Sequence, residues 1–369
     1  MKKLAIIADP LDNQRAGVHV YTREMVHSLI RFNPGWEIIL IRQKRDEKLY
    51  GVRQIVVKNI SLPIGFASFR LFFLIPYLLR KEKVDVVIEP AHFGPFNLPK
   101  NIKRITVVHD LTPLIFPHFH RFHSQLLQRI FLKRILKKAD LIISNSDHTK
   151  KDIISFFPFT KDKIIKIYPG IRLNDIDSSP TTNIPYFITS PYFLTVGTIE
   201  PRKNHLLILQ AFEIFKKLDK ADTKLIICGS RGWKSKSFFD ALQNSSVKSH
   251  VHLTGYAKDS ILINLYKFSI AMIYPSKYEG FGLPVAEAIL AGTIPIVNQS
   301  SSLPEVAGPD AFYIRKEESH ELALAMKKVF DLSPKERTLK ISSQKNHIIQ
   351  FSWDEFGKKL WDEMINLKS

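Results

Sequence analysis

Cysteine is nearly absent: one residue, Cys228, in 369. A single thiol cannot close an internal disulfide, which excludes the stapled scaffolds of small secreted proteins and points to a cytoplasmic setting. Cys228 ends the run Lys224-Leu-Ile-Ile-Cys228, which reads as a strand, so the thiol is expected in a core and not as a nucleophile. Long apolar runs are missing too. A membrane-spanning helix needs ~18–20 consecutive apolar residues, and no stretch approaches that length. The opening Met1-Lys-Lys-Leu-Ala-Ile-Ile-Ala-Asp9 has too short an apolar part for a signal peptide, with Asp9 where a cleavage region would fall; it reads as a first buried strand. No segment has the ligand spacing of a zinc finger, the aromatic motif of an RNA-binding sheet or the pattern of a basic zipper. His118, His120 and His123 lie close together, but their spacing fits no zinc pattern. They read as loop and helix-start residues, and no metal is expected.

Acid is also in short supply. The chain has 35 Asp and Glu against 54 Lys and Arg, a net charge of +19. Residues 1–172 carry 30 Lys and Arg against 14 Asp and Glu, so nearly all of the surplus lies in the first half. Such a surface suits nucleic acid, anionic lipid or an anionic substrate. Within it, Phe66, Phe69, Phe72, Phe73 and Tyr77 precede Arg80, Lys81 and Lys83. That stretch reads as a buried helix or, alternatively, as an aromatic and basic patch that meets an anionic bilayer.

What is present is a repeated alternation. Short β-prone runs such as Leu4–Ala8, Ile38–Arg42, Ile105–His109, Tyr192–Val196 and Ile270–Tyr274 are separated by helical stretches such as Val18–Arg31, Ser124–Lys138, Asn204–Leu218 and Pro334–Ile348. This is the α/β pattern of parallel sheets, and the length predicts two domains. From Pro169 to Pro191 the chain holds four prolines and a Ser-Ser-Pro-Thr-Thr-Asn cluster, which is linker chemistry. The expected division is 1–172 and 190–350, each a doubly wound Rossmann-like domain with its ligand side at the strand C-termini. Beyond them Trp353, Phe356, Leu360, Trp361 and Met364 fall at helical spacing.

The most informative stretch is Glu279-Gly-Phe-Gly-Leu-Pro-Val-Ala-Glu287. A strand over Ser269–Tyr274 should precede it, and a helix with Pro284 at its first position should follow. The first carboxylate then lies on the turn and the second about one helical turn in. Between them the amides of Gly280, Phe281, Gly282 and Leu283 face outward at a positive helix end, a seat for a diphosphate. Two glycines there imply close approach of something to the backbone. This segment resembles the E-x7-E signature of the family-four retaining glycosyltransferases.

Other segments agree with the resemblance. Thr198-Ile-Glu200-Pro-Arg202-Lys203-Asn204 looks like the family's strand–loop–helix that carries diphosphate cations. Arg202 would make a bidentate oxygen contact and Lys203 a point charge, stabilising the leaving group. Ala16-Gly17 stands where the family often has two glycines, making Gly17 a candidate at the donor phosphate. Val108-His109-Asp110 resembles the His-Asp segment of O-antigen-type mannosyltransferases, with His109 at a strand end hydrogen-bonding the transferring sugar.

The resemblance implies a GT-B architecture, two such domains facing across a cleft, with a C-terminal helix (352–369) packing back on the first. It implies transfer of a hexose with retention, mannose from GDP-mannose being the first choice, to a glycan or lipid-linked acceptor in cell-surface polysaccharide synthesis. Glu279 would orient sugar hydroxyls and Glu287 the ribose, while the departing phosphate takes the acceptor's proton. No cofactor, metal or nucleic-acid partner is implied. Because relatives that build lipid-linked glycans often bind membranes through their first domain, a peripheral position on the inner face of the membrane is expected. Glu279→Ala is expected to cut transfer while leaving nucleotide binding largely intact. The alternatives are another donor (UDP-glucose, UDP-GlcNAc or UDP-galactose), a nucleotide-sugar epimerase, or a basic lipid- or nucleic-acid-binding protein; the last leaves the Glu279–Glu287 segment unexplained.

Overall fold

The computed structural model describes residues 1–13, 17–45, 52–58, 69–91, 94–95, 97–117, 122–171, 190–219 and 221–367. Ala16, Phe66, His118, His120 and most of the 169–191 segment lie outside the described residues. The chain forms two compact units, Met1–Gly170 with Phe351–Ser369, and Ile171–Gln350.

Among the described residues the first unit has a seven-stranded parallel sheet. Its strands are β1 (Lys3–Ile7), β2 (Glu37–Arg42), β3 (Arg53–Val56), β4 (Val86–Glu89), β5 (Lys103–Val108), β6 (Leu141–Ser144) and β7 (Ile164–Lys166), in the order β3-β2-β1-β4-β5-β6-β7. Helices cover both faces, which is why the central strands are near-continuous apolar runs and not alternating ones. Leu4 and Ile6 of β1 pack with helices Gly17–Arg31 and Trp353–Asn366, whereas Ala5 and Ile7 pack on the other face with Ile75 and Leu79.

The last helix completes the first unit's core. Trp353, Phe356, Leu360, Trp361 and Met364 are all buried there. Gly357 is required at the crossing, because a Cβ would collide with Ser28 of helix Gly17–Arg31. Ser28 Oγ donates to the Trp353 carbonyl, and Trp361 Nε1 donates to the Leu29 carbonyl at 3.0 Å.

The second unit's described residues hold a six-stranded parallel sheet in the order β10-β9-β8-β11-β12-β13. Its strands are β8 (Tyr192–Val196), β9 (Lys224–Cys228), β10 (Val251–Gly255), β11 (Met272–Tyr274), β12 (Pro295–Asn298) and β13 (Phe312–Ile314). Strand order reverses between β8 and β11, which are paired through Leu194 and Met272. The loops leaving those two strands therefore start side by side, at the place where doubly wound sheets bind ligands. Cys228 is buried at the end of β9.

Two details differ from the sequence expectation. Helix Leu283–Leu290 begins one residue early, so Pro284 is its second residue. Strand β11 begins at Met272 and not at Ser269 or Ile270, because the turn after helix Asp259–Lys267 takes up the preceding residues. Strand β13 and the helices Pro10–Asn13, Thr112–Ile115 and Leu303–Ala307 were not anticipated; each has three to five residues, too few to impose a period.

One buried group makes a stability prediction. His205 opens helix His205–Leu218 and is 3% exposed. Burial, with Lys203 adding repulsion, pulls its imidazole down to about 4. The folded state therefore binds fewer protons than the unfolded one below the ordinary value of 6.5. Stability drains as pH falls from there toward 4, by at most about 3 kcal/mol. His205→Leu should remove this contribution, so that stability rises less, or falls more, with pH between 4 and 6.5 in melts than it does in wild type; an unchanged slope refutes the assignment.

Candidate active site

The loop from β11 to helix Leu283–Leu290 is tied down by the segment after β12. Asn298 Nδ2 donates to the carbonyls of Pro275 (3.2 Å) and Ser276 (3.1 Å). Ser301 Oγ accepts the Glu279 N–H at 2.9 Å. The fully buried Ser302 hydroxyl reaches the carbonyls of Glu279 at 2.9 Å and Phe281 at 2.8 Å. In a trans peptide the carbonyl and the following N–H point in opposite directions. Ser302 thus turns the N–H groups of Gly280 and Gly282 away from itself. Gly282 has φ +104°, and a Cβ there would meet Leu303 Cδ2 at 3.0 Å, so glycine is needed. Phe281 is 4% exposed and belongs to the core. Leu283 supplies the first amide of the helix, which has no partner four residues back.

Glu279 does not stand alone. Its Oε1 accepts from Lys203 Nζ (2.6 Å), Ser276 Oγ (2.5 Å) and Tyr274 OH (3.2 Å), and lies 2.8 Å from Arg202 Nη1. Its Oε2 has no hydrogen bond among the described residues. Burial pushes this carboxyl up, but the charges of Arg202 and Lys203 and the hydrogen bonds outweigh it, leaving the group at about 2. It is ionised throughout the physiological range. Burial pulls the Lys203 ammonium down while Glu279 pulls it back up.

Arg202 lies in the short turn Pro201–Lys203, before the left-handed Asn204. Its Nε and Nη2 both donate to Glu200 Oε1, at 3.1 and 2.8 Å, and Nη1 donates to the Tyr278 carbonyl at 2.8 Å. The cluster therefore contains two cations and two carboxylates, joined across loops that the sheet order brings together. Among described residues no group of His, Cys, Asp and Glu is arranged to hold a metal ion.

Glu287, on the same helix, sits in a different environment. Tyr266 OH donates to its Oε2 at 3.0 Å. Burial raises this carboxyl to about 7, with the Tyr266 hydrogen bond opposing and Asp259 adding to the rise. Two carboxylates eight residues apart are thus held at opposite ends of the titration range. Tyr256 is 69% exposed just beyond β10.

In the first unit, Gly17 is exposed at the start of helix Gly17–Arg31. His109 lies one residue beyond β5. Its Nε2 donates to the Pro90 carbonyl at 2.7 Å and its own carbonyl accepts from Thr149 Oγ1 at 3.4 Å. Tyr21 packs edge-on against the ring, centroids 4.7 Å apart. Burial lowers the imidazole despite the Pro90 bond and Asp110, so the ring is neutral with its hydrogen on Nε2 and an acceptor at Nδ1.

Residues 15–175 match glycosyltransferase family 4, and residues 186–346 match the glycosyl transferases of group 1. The O-antigen chain mannosyltransferase B of Escherichia coli is 31% identical over 329 residues, covering 83% of this chain and 84% of that protein. The chain belongs to this glycosyltransferase family. It is a hexosyltransferase, moving a sugar from a nucleotide-sugar donor to a glycan or lipid acceptor. Solved structures agree on the fold. Sucrose-phosphate synthase from Thermosynechococcus elongatus superposes with a TM-score of 0.77 at 18% identity, covering 100% of this chain and 99% of that one. HepE from Anabaena, in complex with UDP-glucose, gives 0.76 at 14% identity, covering 99% and 100%. The glycosyltransferase has the GT-B type of architecture, two Rossmann-like α/β units.

Within the second unit the structure joins Arg202, Lys203 and Glu279 directly and sets Glu287 on the helix that follows. Sequence reasoning missed Glu200, Tyr266, Tyr274, Ser276 and Ser302 in this glycosyltransferase. Glu200 had a visible signal, an acid two residues before Arg202. The others depend on which loops become neighbours.

Proposed function

We propose that this glycosyltransferase takes mannose from GDP-mannose and transfers it, with retention, to a growing cell-surface polysaccharide. The observation that carries the donor site is the meeting of Arg202 Nη1 and Lys203 Nζ on one oxygen of Glu279, beside the amino end of helix Leu283–Leu290. Negative charge grows on the diphosphate as the glycosidic bond breaks, while the sugar becomes oxocarbenium-like. Arg202, Lys203 and the amides of residues 280–283 stabilise the first. Glu279, ionised, accepts from sugar hydroxyls. Glu287 takes the ribose. The acceptor's proton goes to the departing phosphate, so no protein base is assigned. Mannose is supported by likeness to a relative named as a mannosyltransferase.

The test is product analysis with GDP-mannose and UDP-sugars on a lipid-linked glycan acceptor, the anomeric configuration being read by NMR. An α-mannoside from GDP-mannose upholds the reading. Activity with UDP-sugars alone, or inversion, overturns the corresponding part.

The acceptor side is proposed to work against a membrane. No helix among the described residues is long and apolar enough to cross one. In the first unit a cavity of about 810 Å³ is lined by Phe72, Phe73 and Pro76 together with Arg80, Arg134 and Lys138, and no carboxylate is among the described residues that line it. Phe69, Phe73 and Tyr77 are 48%, 59% and 59% exposed beside it. Apolar rings among cations suit an anionic interface. The protein should sediment with phosphatidylglycerol vesicles at low salt and not with phosphatidylcholine, and Arg134→Glu with Lys138→Glu should abolish this. Vesicle binding that ignores both charge changes removes the proposal.

A further inference from the structure

We infer that Glu200 is a positioning residue for the donor's diphosphate, acting through Arg202. The inference rests on the donor reading above. Glu200 follows β8 and its side chain is 2% exposed. A carboxylate taken this far out of water is costly unless paired, and its partner is unambiguous. Oε1 takes both Nε and Nη2 of Arg202, one whole edge of the guanidinium fork. The turn that carries both residues is closed by the Lys203 N–H on the Glu200 carbonyl (3.1 Å) and the Asn204 N–H on the Pro201 carbonyl (3.2 Å). Acid and arginine are thus held two residues apart in a fixed relation.

With that edge fixed, only Nη1 is turned toward the Glu279 loop, where it meets the Tyr278 carbonyl and Glu279 Oε1. This is the side on which Gly280 to Leu283 present the helix end. Without Glu200 the planar fork can close two-pronged on Glu279, the other carboxylate in the cluster. Arg202 would then be neutralised by the residue assigned to the sugar and lost to the phosphates. The Lys203 ammonium is hydrogen-bonded to Glu279 and Tyr274 and feels the Glu200 carboxylate only through space, so the hydrogen-bonded route from Glu200 to the diphosphate runs through Arg202.

Calorimetry with GDP and GMP, and with UDP and UMP, on wild type, Glu200→Ala, Glu200→Gln, Arg202→Ala and the Glu200→Ala/Arg202→Ala double variant tests this. Glu200→Ala should weaken the diphosphate about tenfold or more and leave the monophosphate within about twofold. Glu200→Gln, whose amide oxygen still accepts from the fork, should recover most of the loss. On the Arg202→Ala background Glu200→Ala should add nothing. Equal losses for mono- and diphosphate, additive losses in the double variant, or an unchanged diphosphate affinity would each overturn the inference. If Glu200→Ala does not fold, Glu200→Asp, one methylene short of the fork, is read against the same outcomes. Arg202→Ala with wild-type diphosphate affinity sinks the donor reading itself; a loss there with Glu200→Ala unaffected sinks only the role of Glu200.

Discussion

Glu279→Gln is expected to bind a nucleoside diphosphate more tightly than wild type while transferring sugar at about a hundredth of the rate or less. The two effects have one origin. In the unliganded unit Glu279 Oε1 is the shared partner of Lys203 Nζ and Arg202 Nη1. A diphosphate must draw both cations away from that oxygen, and the loss of those contacts subtracts from its affinity. Gln keeps the shape and removes the charge, so the cations wait partly uncompensated in a buried place, and the incoming anion relieves them. The same variant should melt at lower temperature without ligand and recover with it. Catalysis suffers because an amide cannot offset positive charge on the sugar as a carboxylate does. The sequence alone suggested that nucleotide binding would survive loss of this side chain largely unchanged; the ion cluster changes the expectation to a gain. Calorimetry beside a transfer assay reads both arms. Weaker diphosphate binding would show that Glu279 touches the nucleotide directly and that the roles of the two carboxylates are exchanged.

The second large effect is a pH dependence set by Glu287. Its carboxyl stands at about 7 because burial disfavours the charge. Ribose hydroxyls donate to the ionised form, so nucleotide affinity should fall about tenfold per unit as pH drops below 7 and level off above 8. Stability without ligand runs the other way. The folded value lies above the ordinary 4.5, so the folded state holds the proton longer than the unfolded chain does. Stability therefore falls as pH rises from 4.5 to 7, where the unfolded chain has ionised and the fold has not, by about 3 kcal/mol in all. Over this window affinity should rise with pH while the Glu287 contribution to unliganded stability falls, opposing that of His205, and Glu287→Gln should remove the Glu287 part of both. That variant should also bind nucleotide about tenfold or more weakly at pH 8. A pH-independent affinity in wild type would remove Glu287 from the ribose.

The fold was readable because its strands are buried on both faces. Runs such as Leu4–Ile7 and Leu225–Cys228 can only be central parallel strands when helical periods separate them. The chemical residue types of the donor site were readable for a related reason: glycines between two acids, and cations before a helix, are local patterns. Their pairing was not local. Arg202 looks like a phosphate ligand in sequence, yet its fork is occupied by Glu200 two residues back and by Glu279, far along the chain, which also takes Lys203. Nothing in the spacing reveals that β8 and β11 are neighbours, and that adjacency alone brings the two loops together. Tyr266 and Ser302 escaped for the same reason, since each meets the site from another element. The opposite titration of Glu279 and Glu287 likewise follows from partners that only the fold supplies.

The first unit is assembled from two separate stretches of chain, and its closing helix, Trp353–Asn366, is made after the whole of the second unit. On the ribosome, the segment Ile171–Gln350 is complete and contiguous while the first sheet still lacks Trp353, Phe356 and Trp361. The second unit can therefore finish folding during translation, whereas the first must wait with an apolar face uncovered until Trp353–Asn366 emerges. A premature stop shortly before residue 353 would spare the donor half and leave the other half a client for chaperones.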